Sequence, residues 1–231
     1  MPRNNEIILG IDSSASPLFV AVERGSQCVS RRRKGIKQER LLFPVIHRAL
    51  AACGANLQQV SKVCLVRGPG RFTGIRIGLT FASMMQYLNK AKVYGATQFV
   101  LLERQVKNST VFKRFLAKHP QGKIAVVLHA FREEYFLQIF DGKDSQPAWL
   151  SREELVERLA AYPAPLLLAG TDKAGTSLAD LTQHRYPLAA WRDCRVQAKT
   201  LLALAQDEQF AVGALEPLYL KPARFELIKP Q

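Results

Sequence analysis

Two corners of this chain bring together residue types that handle anions. The first is Asp12-Ser13-Ser14, an acid and two hydroxyls closing an apolar run, Glu6 to Asp12, that reads as a buried strand. The second is Arg67-Gly68-Pro69-Gly70-Arg71-Phe72-Thr73-Gly74-Ile75-Arg76-Ile77-Gly78, where a strand pattern ends and a long helical pattern begins. A glycine-rich turn feeding a helix leaves free N–H groups at the positive end of the helix dipole, a geometry that holds anions. Thr73 is placed to N-cap that helix. Asp12, Ser13, Gly70, Thr73 and Arg76 are therefore the candidate anion or nucleotide contacts. The spacing fits neither common nucleotide fingerprint, because three residues separate Gly70 from Gly74 and Ile75-Arg76 follows where a Walker loop has Lys-Ser/Thr. Strand-to-helix turns also need glycines where no ligand sits.

Other catalytic sets are absent from the sequence. A carboxylate pair needs a second acid at the end of another central strand, but Ser61 to Val66 runs into Arg67 and Gly122 to Leu128 runs into His129. No HExxH, GxSxG or recognisable Ser/His/Asp set is present. Cys28, Cys53, Cys64 and Cys194 form no CxxC pair, and His47, His119, His129 and His184 are dispersed, which argues against a metal site or disulfide framework. No cofactor is expected. Asp12 has a simpler role open to it, as a side-chain cap of its own turn.

Net charge is the unusual bulk property. With 33 Lys and Arg against 19 Asp and Glu, the chain carries +14, which favours polyanionic partners such as RNA or an acidic protein surface. The charge is spread along the chain apart from Arg31-Arg32-Arg33-Lys34, so tRNA contact is one expectation and plain solvation the other. No apolar stretch approaches the roughly 18 residues of a membrane span, and the N-terminus runs into a strand without a signal-peptide pattern, which implies a soluble cytoplasmic protein.

The elements that must position the two corners follow from periodicity. Strands Glu6 to Asp12, Leu18 to Glu23 and Gln27 to Arg33 form an antiparallel meander. A helix from Gln38 to Cys53 carries Leu41, Leu42, Val45, Ile46, Ala49 and Leu50 on one stripe, with Pro44 awkwardly inside it. Strand Ser61 to Val66, helix Gly74 to Asn89, strand Lys92 to Ala96 and a helix N-capped by Thr97 complete a first lobe, residues 1–106. In the helix from Gly74 to Asn89, Ile77, Phe81, Met84, Met85 and Leu88 belong to apolar positions that encircle the axis, so a sheet covers one side and another helix or protein the other. A second lobe, residues 107–231, opens with a weakly helical basic segment. It continues with a hairpin of Gly122 to Leu128 and Glu134 to Phe140, a helix opened by the capping box of Ser151 and Glu154, and a buried strand Pro163 to Ala169. The spacing then predicts a helix over Lys173 to Leu181, a strand over Arg185 to Ala190 and a helix over Val196 to Gln206. Each lobe is thus an α/β unit with a mixed sheet.

An acid and small hydroxyls before a hairpin, as in Asp12-Ser13-Ser14, is how RNase H-like and actin-like nucleotide domains begin. Three further matches carry a more specific resemblance: Ile8-Leu9-Gly10-Ile11-Asp12-Ser13 at the opening strand, the whole Arg67 to Gly78 corner, and Glu216-Pro217-Leu218-Tyr219-Leu220-Lys221 near the C-terminus. On these residues the chain resembles the TsaB (YeaZ) family, partner subunits in making threonylcarbamoyladenosine in tRNA. The resemblance implies an actin-like or Hsp70-like (ASKHA) fold of two RNase H-like lobes with mixed sheets, the second reduced. It implies a non-catalytic scaffold for the catalytic subunit TsaD, bound through Leu41, Leu42, Val45, Ile46, Ala49, Leu50, Ile77, Phe81, Met84, Met85 and Leu88, with the ATPase TsaE as a further partner and a homodimer as a competing state. The alternative is an actin-like small-molecule kinase or ATPase using Asp12 and the Gly68 to Gly74 loop. Two stretches depart from the family pattern: Lys37-Gln38-Glu39 stands where His-Ser-Glu is usual, and His129-Ala130-Phe131-Arg132-Glu133-Glu134 where Asp-Ala-Arg-Arg-Gly-Glu is frequent.

Overall fold

The computed structural model describes residues 6–35, 37–142, 146–173 and 177–221. In chain order the first part comprises β1 (Ile7–Asp12), β2 (Leu18–Arg24), β3 (Gln27–Arg33), α1 (Gln38–Ala52), β4 (Val60–Val66), α2 (Phe72–Asn89), β5 (Lys92–Ala96) and α3 (Gln98–Lys107). It continues with α4 (Thr110–Lys118), β6 (Lys123–Phe131), β7 (Glu134–Phe140), β8 (Ala148–Ser151), α5 (Arg152–Ala160), β9 (Leu166–Thr171) and α6 (Ala198–Leu202). Within the described residues one compact unit holds the chain up to Leu101 together with Val196–Leu218, and the other holds Leu102–Arg195 and the chain from Tyr219 on.

The first unit is built on a five-stranded sheet in the order β3-β2-β1-β4-β5. The meander β1–β2–β3 is antiparallel and β4 and β5 add in parallel, the mixed arrangement that RNase H-like lobes share. β1 is central, and all six of its residues are buried because the sheet is covered on both faces. On one face α1 and α2 bury Leu42, Val45, Ile46, Ile75, Leu79 and Phe81 against Leu9, Ile11, Val20 and Val22. Each such side chain contributes roughly 1.5–3 kcal/mol relative to exposure. α6 and the 3-10 turn after it, Ala203–Gln206, cover the other face with Leu201, Leu202 and Leu204, all nearly inaccessible to solvent. The segment expected to close the second lobe, Val196 to Gln206, thus belongs to the first unit. A sheet with only one face covered would leave Gly10, Phe19 and Cys64 in water, and the returning chain supplies the missing layer.

α1 runs continuously through Pro44, whose ring lies on the exposed side. α2 starts two residues earlier than its glycine pattern predicts. Arg71, extended at φ −66° and ψ 120°, is its N-cap, and Thr73 sits inside the first turn rather than capping it. Thr97 does cap α3, accepting the Val100 N–H at 3.2 Å.

In the second unit the sheet order is β8-β7-β6-β9, again an antiparallel meander with a parallel strand added, one strand fewer than in the first. Its core joins Val127, Tyr135, Leu137, Leu155, Leu159 and Leu168. The predicted capping box is present: the Ser151 Oγ accepts the Glu154 N–H at 3.2 Å and Glu154 accepts the Ser151 N–H at 2.7 Å. The helix predicted over Lys173 to Leu181 is not: residues 177–184 form turns, ended by Gln183 and His184 with φ of 52° and 55°, while 174–176 lie outside the described residues. The strand predicted over Arg185 to Ala190 contracts to a single bridge between Leu188 and Leu168, because Pro187 cannot donate to a ladder. Among the described residues no helix is long and apolar enough to cross a membrane.

Candidate functional site

The two corners expected to handle anions meet, and they fill each other. The Ser13 hydroxyl donates to the Gly74 carbonyl at 2.8 Å, and the Arg71 N–H donates to the Ser14 carbonyl at 2.7 Å. A Cβ on Gly74 would overlap the Ser13 carbonyl oxygen and lie 2.9 Å from Gln38 Oε1; one on Gly70 would strike the Ser14 carbonyl and lie 2.9 Å from Ser14 Cβ. These glycines therefore let the β1–β2 turn lie directly on the start of α2. Gln38 fastens the same turn from α1, its Nε2 donating to the Ala15 carbonyl at 2.7 Å. Thr73 and Arg76 point elsewhere, into a cleft between α1 and α2.

Asp12 is 5% exposed and accepts both the Ser14 N–H at 3.0 Å and the Ser14 hydroxyl at 2.6 Å, so it caps its own turn. Burial raises its pKa above the ordinary 3.8, more than the Ser14 hydrogen bonds and the charge of Arg32 lower it. The folded state therefore holds this proton more firmly than the unfolded chain does. That contribution to stability is present below the unfolded value and is lost as pH rises through the raised value. Asp12→Asn keeps the acceptor oxygen and removes the ionisation. Urea denaturation at stepped pH should show the wild type losing stability above pH about 4 while the variant declines less; parallel profiles would contradict the burial argument.

The cleft between α1 and α2 has a volume of about 510 Å³ and is lined by Leu42, Phe43, Phe72, Ile77, Phe81 and Met84, with Glu39, Thr73, Arg76 and Thr80 supplying its polar atoms. Phe43 packs edge-on against Phe81 with ring centroids 5.6 Å apart, and the Arg76 guanidinium lies 5.1 Å from the Phe72 ring centroid. Four large apolar side chains on these two helices face solvent: Phe43 at 42%, Phe72 at 55%, Tyr87 at 76% and Leu88 at 64%.

This face differs from the one expected. Val45, Ile46, Ala49, Leu50 and Met85 are buried in the unit's own core, where they cannot touch a partner, and Leu42 and Phe81 form the cleft's inner wall. The stripe that makes α1 amphipathic is for the most part the stripe it buries on the sheet, so most of the accessible apolar surface comes from residues outside it. Leu41, Ile77 and Met84 are half-buried and Leu88 is exposed. Phe43, Phe72 and Tyr87 are exposed on these helices and are not among the expected residues. Phe43 lies off the stripe, Phe72 precedes the predicted helix start, and Tyr87 falls inside the predicted helix between the counted Met85 and Leu88.

A model of the family "TsaD: tRNA N6-adenosine threonylcarbamoyltransferase" matches residues 37–107, from just before α1 to the end of α3. The tRNA threonylcarbamoyladenosine biosynthesis protein TsaB of Bacillus subtilis (strain 168) is 32% identical over 173 residues, 71% of this chain and 71% of that protein. The chain belongs to the TsaB family. The Haemophilus influenzae TsaB is 26% identical across 94% of both chains. The solved structure of YeaZ from Pseudomonas aeruginosa superposes with a TM-score of 0.66 at 21% identity, covering 93% of this chain and all of that one, and shows the same fold. Membership in the TsaB family gives the chain a role in tRNA threonylcarbamoyladenosine biosynthesis. The actin-like architecture of two RNase H-like lobes, the second reduced, agrees with the strand orders of the two units.

Proposed function

We propose that the chain is a non-catalytic subunit that binds TsaD through the α1–α2 face and supports threonylcarbamoyl transfer to tRNA in the cytoplasm. The observation that carries this reading is the cleft lined by the exposed Phe43 and Phe72, with Tyr87 and Leu88 exposed farther along α2, apolar surface of the kind that protein interfaces bury. The match of residues 37–107 to TsaD adds to it, since two chains sharing this segment carry equivalent helix pairs that can meet face to face around a pseudo-twofold axis. The same face serves a homodimer when TsaD is absent. A scaffold role is supported by the glycine corner, where the Ser13–Ser14 turn occupies the space beside Gly70 and Gly74 and Asp12 is turned inward. In size-exclusion chromatography the chain should co-elute with TsaD as a defined complex, and separate elution would contradict the proposal. Calorimetry of the isolated chain with ATP and Mg²⁺ should give no binding heat; tight binding would favour the kinase alternative instead.

A further inference from the structure

The basic charge is richest in one stretch of the chain, and most of that stretch's cations gather on one surface. From Arg24 to Arg48 the chain carries eight Lys or Arg and a single acid, Glu39, so about half of the net +14 lies in this stretch. The structure divides these cations into two groups. Arg24 and Arg32 serve the fold: Arg24 donates to the carbonyls of Cys53 and Gly54, and Arg32 donates to the Val196 carbonyl with its guanidinium 4.0 Å from the Phe19 ring centroid. Arg31, Arg33, Lys34, Lys37, Arg40 and Arg48 are all exposed. Among the described residues none of these six pairs with a carboxylate, whereas Lys62, Lys107, Arg152, Lys173 and Lys221 all do.

Register and helical period put the six on one surface. β3 pairs with β2 so that Arg31 lies opposite Val20 and Arg33 opposite Leu18, core residues on the sheet face that α1 covers. Arg31 and Arg33 therefore share that face at the open edge of the sheet, about 6.6 Å apart along the strand. Lys37, Arg40 and Arg48 fall on one side of α1, the side turned away from the sheet, and Lys34 lies in the connection. Protection of an edge strand from pairing would explain charges on β3. It does not explain the matching row on the helix.

We infer that this face, the β3 edge and the outer side of α1, holds the phosphate backbone of tRNA. The role in tRNA modification supplies a polyanion. A phosphate surface needs cations without an apolar centre, and the exposed apolar residues among these charges are only the small Pro44, Ala51 and Ala52, unlike the phenylalanine-lined cleft on the other flank of α1. The inference does not depend on TsaD docking at that cleft.

The test is fluorescence anisotropy of the full chain with an unmodified tRNA transcript across a salt series. The variant R31Q/R33Q/R40Q/R48Q is compared with K107Q/K113Q/R114Q/K118Q, which removes the same charge from α3 and α4. The first should weaken binding at least tenfold at fixed salt and lower the slope of log K against log salt by about 3, one unit or slightly less per lost phosphate contact. The second should change affinity less than twofold, and circular dichroism should show both folded. Equal losses in the two variants, or none in the first, would overturn the inference, as would displacement of tRNA by poly-glutamate as readily as by RNA. Co-elution of the first variant with TsaD should persist, which separates this result from the partner reading.

Discussion

Leu42→Glu should leave no folded protein, whereas Phe43→Glu, one residue along the same helix, should melt near the wild type and fail to hold TsaD. Leu42 is 2% exposed and packed in the core between α1 and the sheet. A carboxylate there loses a buried leucine and strands a charge without a partner, a combined cost of roughly 4 kcal/mol or more. That is comparable to the whole stability of a marginal domain, which is about 5–15 kcal/mol. Phe43 is 42% exposed, so its replacement forfeits mainly the edge-on contact with Phe81, about 1 kcal/mol. Thermal melts followed by circular dichroism separate the two variants, and affinity capture by tagged TsaD reads the interface. A folded Leu42→Glu protein would contradict the core assignment, and undiminished capture by Phe43→Glu would remove the cleft from the partner face.

Gly74→Ala should destabilise the first unit by about 3 kcal/mol, although alanine is the better helix former by about 1 kcal/mol. The added methyl would overlap the Ser13 carbonyl oxygen and crowd Gln38 Oε1 at 2.9 Å, forcing the β1–β2 turn off α2 and breaking the 2.8 Å bond from Ser13 to the Gly74 carbonyl. Gly213→Ala is the control, since a Cβ there meets nothing within 4 Å. Urea denaturation should show a lower midpoint for the first and almost none of that shift for the second. Equal midpoints would mean that the corner yields without strain.

How much of this was legible in the sequence depended on whether a feature is local. The meander, the central strands and the Ser151–Glu154 capping box are set by alternation and by contacts within a few residues, and they appear where the pattern puts them. The glycine corner was legible as a tight turn but not in its purpose. The group that occupies it, Ser13–Ser14, lies about sixty residues away in the chain and meets it only through the parallel pairing of β1 with β4. The return of Val196–Leu218 to the first unit was hidden for the same reason: α6 has an ordinary apolar stripe, and nothing in it names the sheet it covers. Val45, Ile46, Ala49, Leu50 and Met85, expected on a partner face, are buried instead, because hydrophobic periodicity identifies what a helix buries within its own chain. Phe43, Phe72 and Tyr87 became visible only once the buried side had been fixed by the sheet.

The central claim is that the exposed aromatic cleft, and not the buried stripe of α1 or the glycine corner, is the surface that engages TsaD. Calorimetric titration of purified TsaD into the wild type and into Phe43→Glu/Phe72→Glu tests it most directly. A saturable heat with the wild type that disappears in the equally folded double variant is the expected result; the same affinity for both proteins would contradict it.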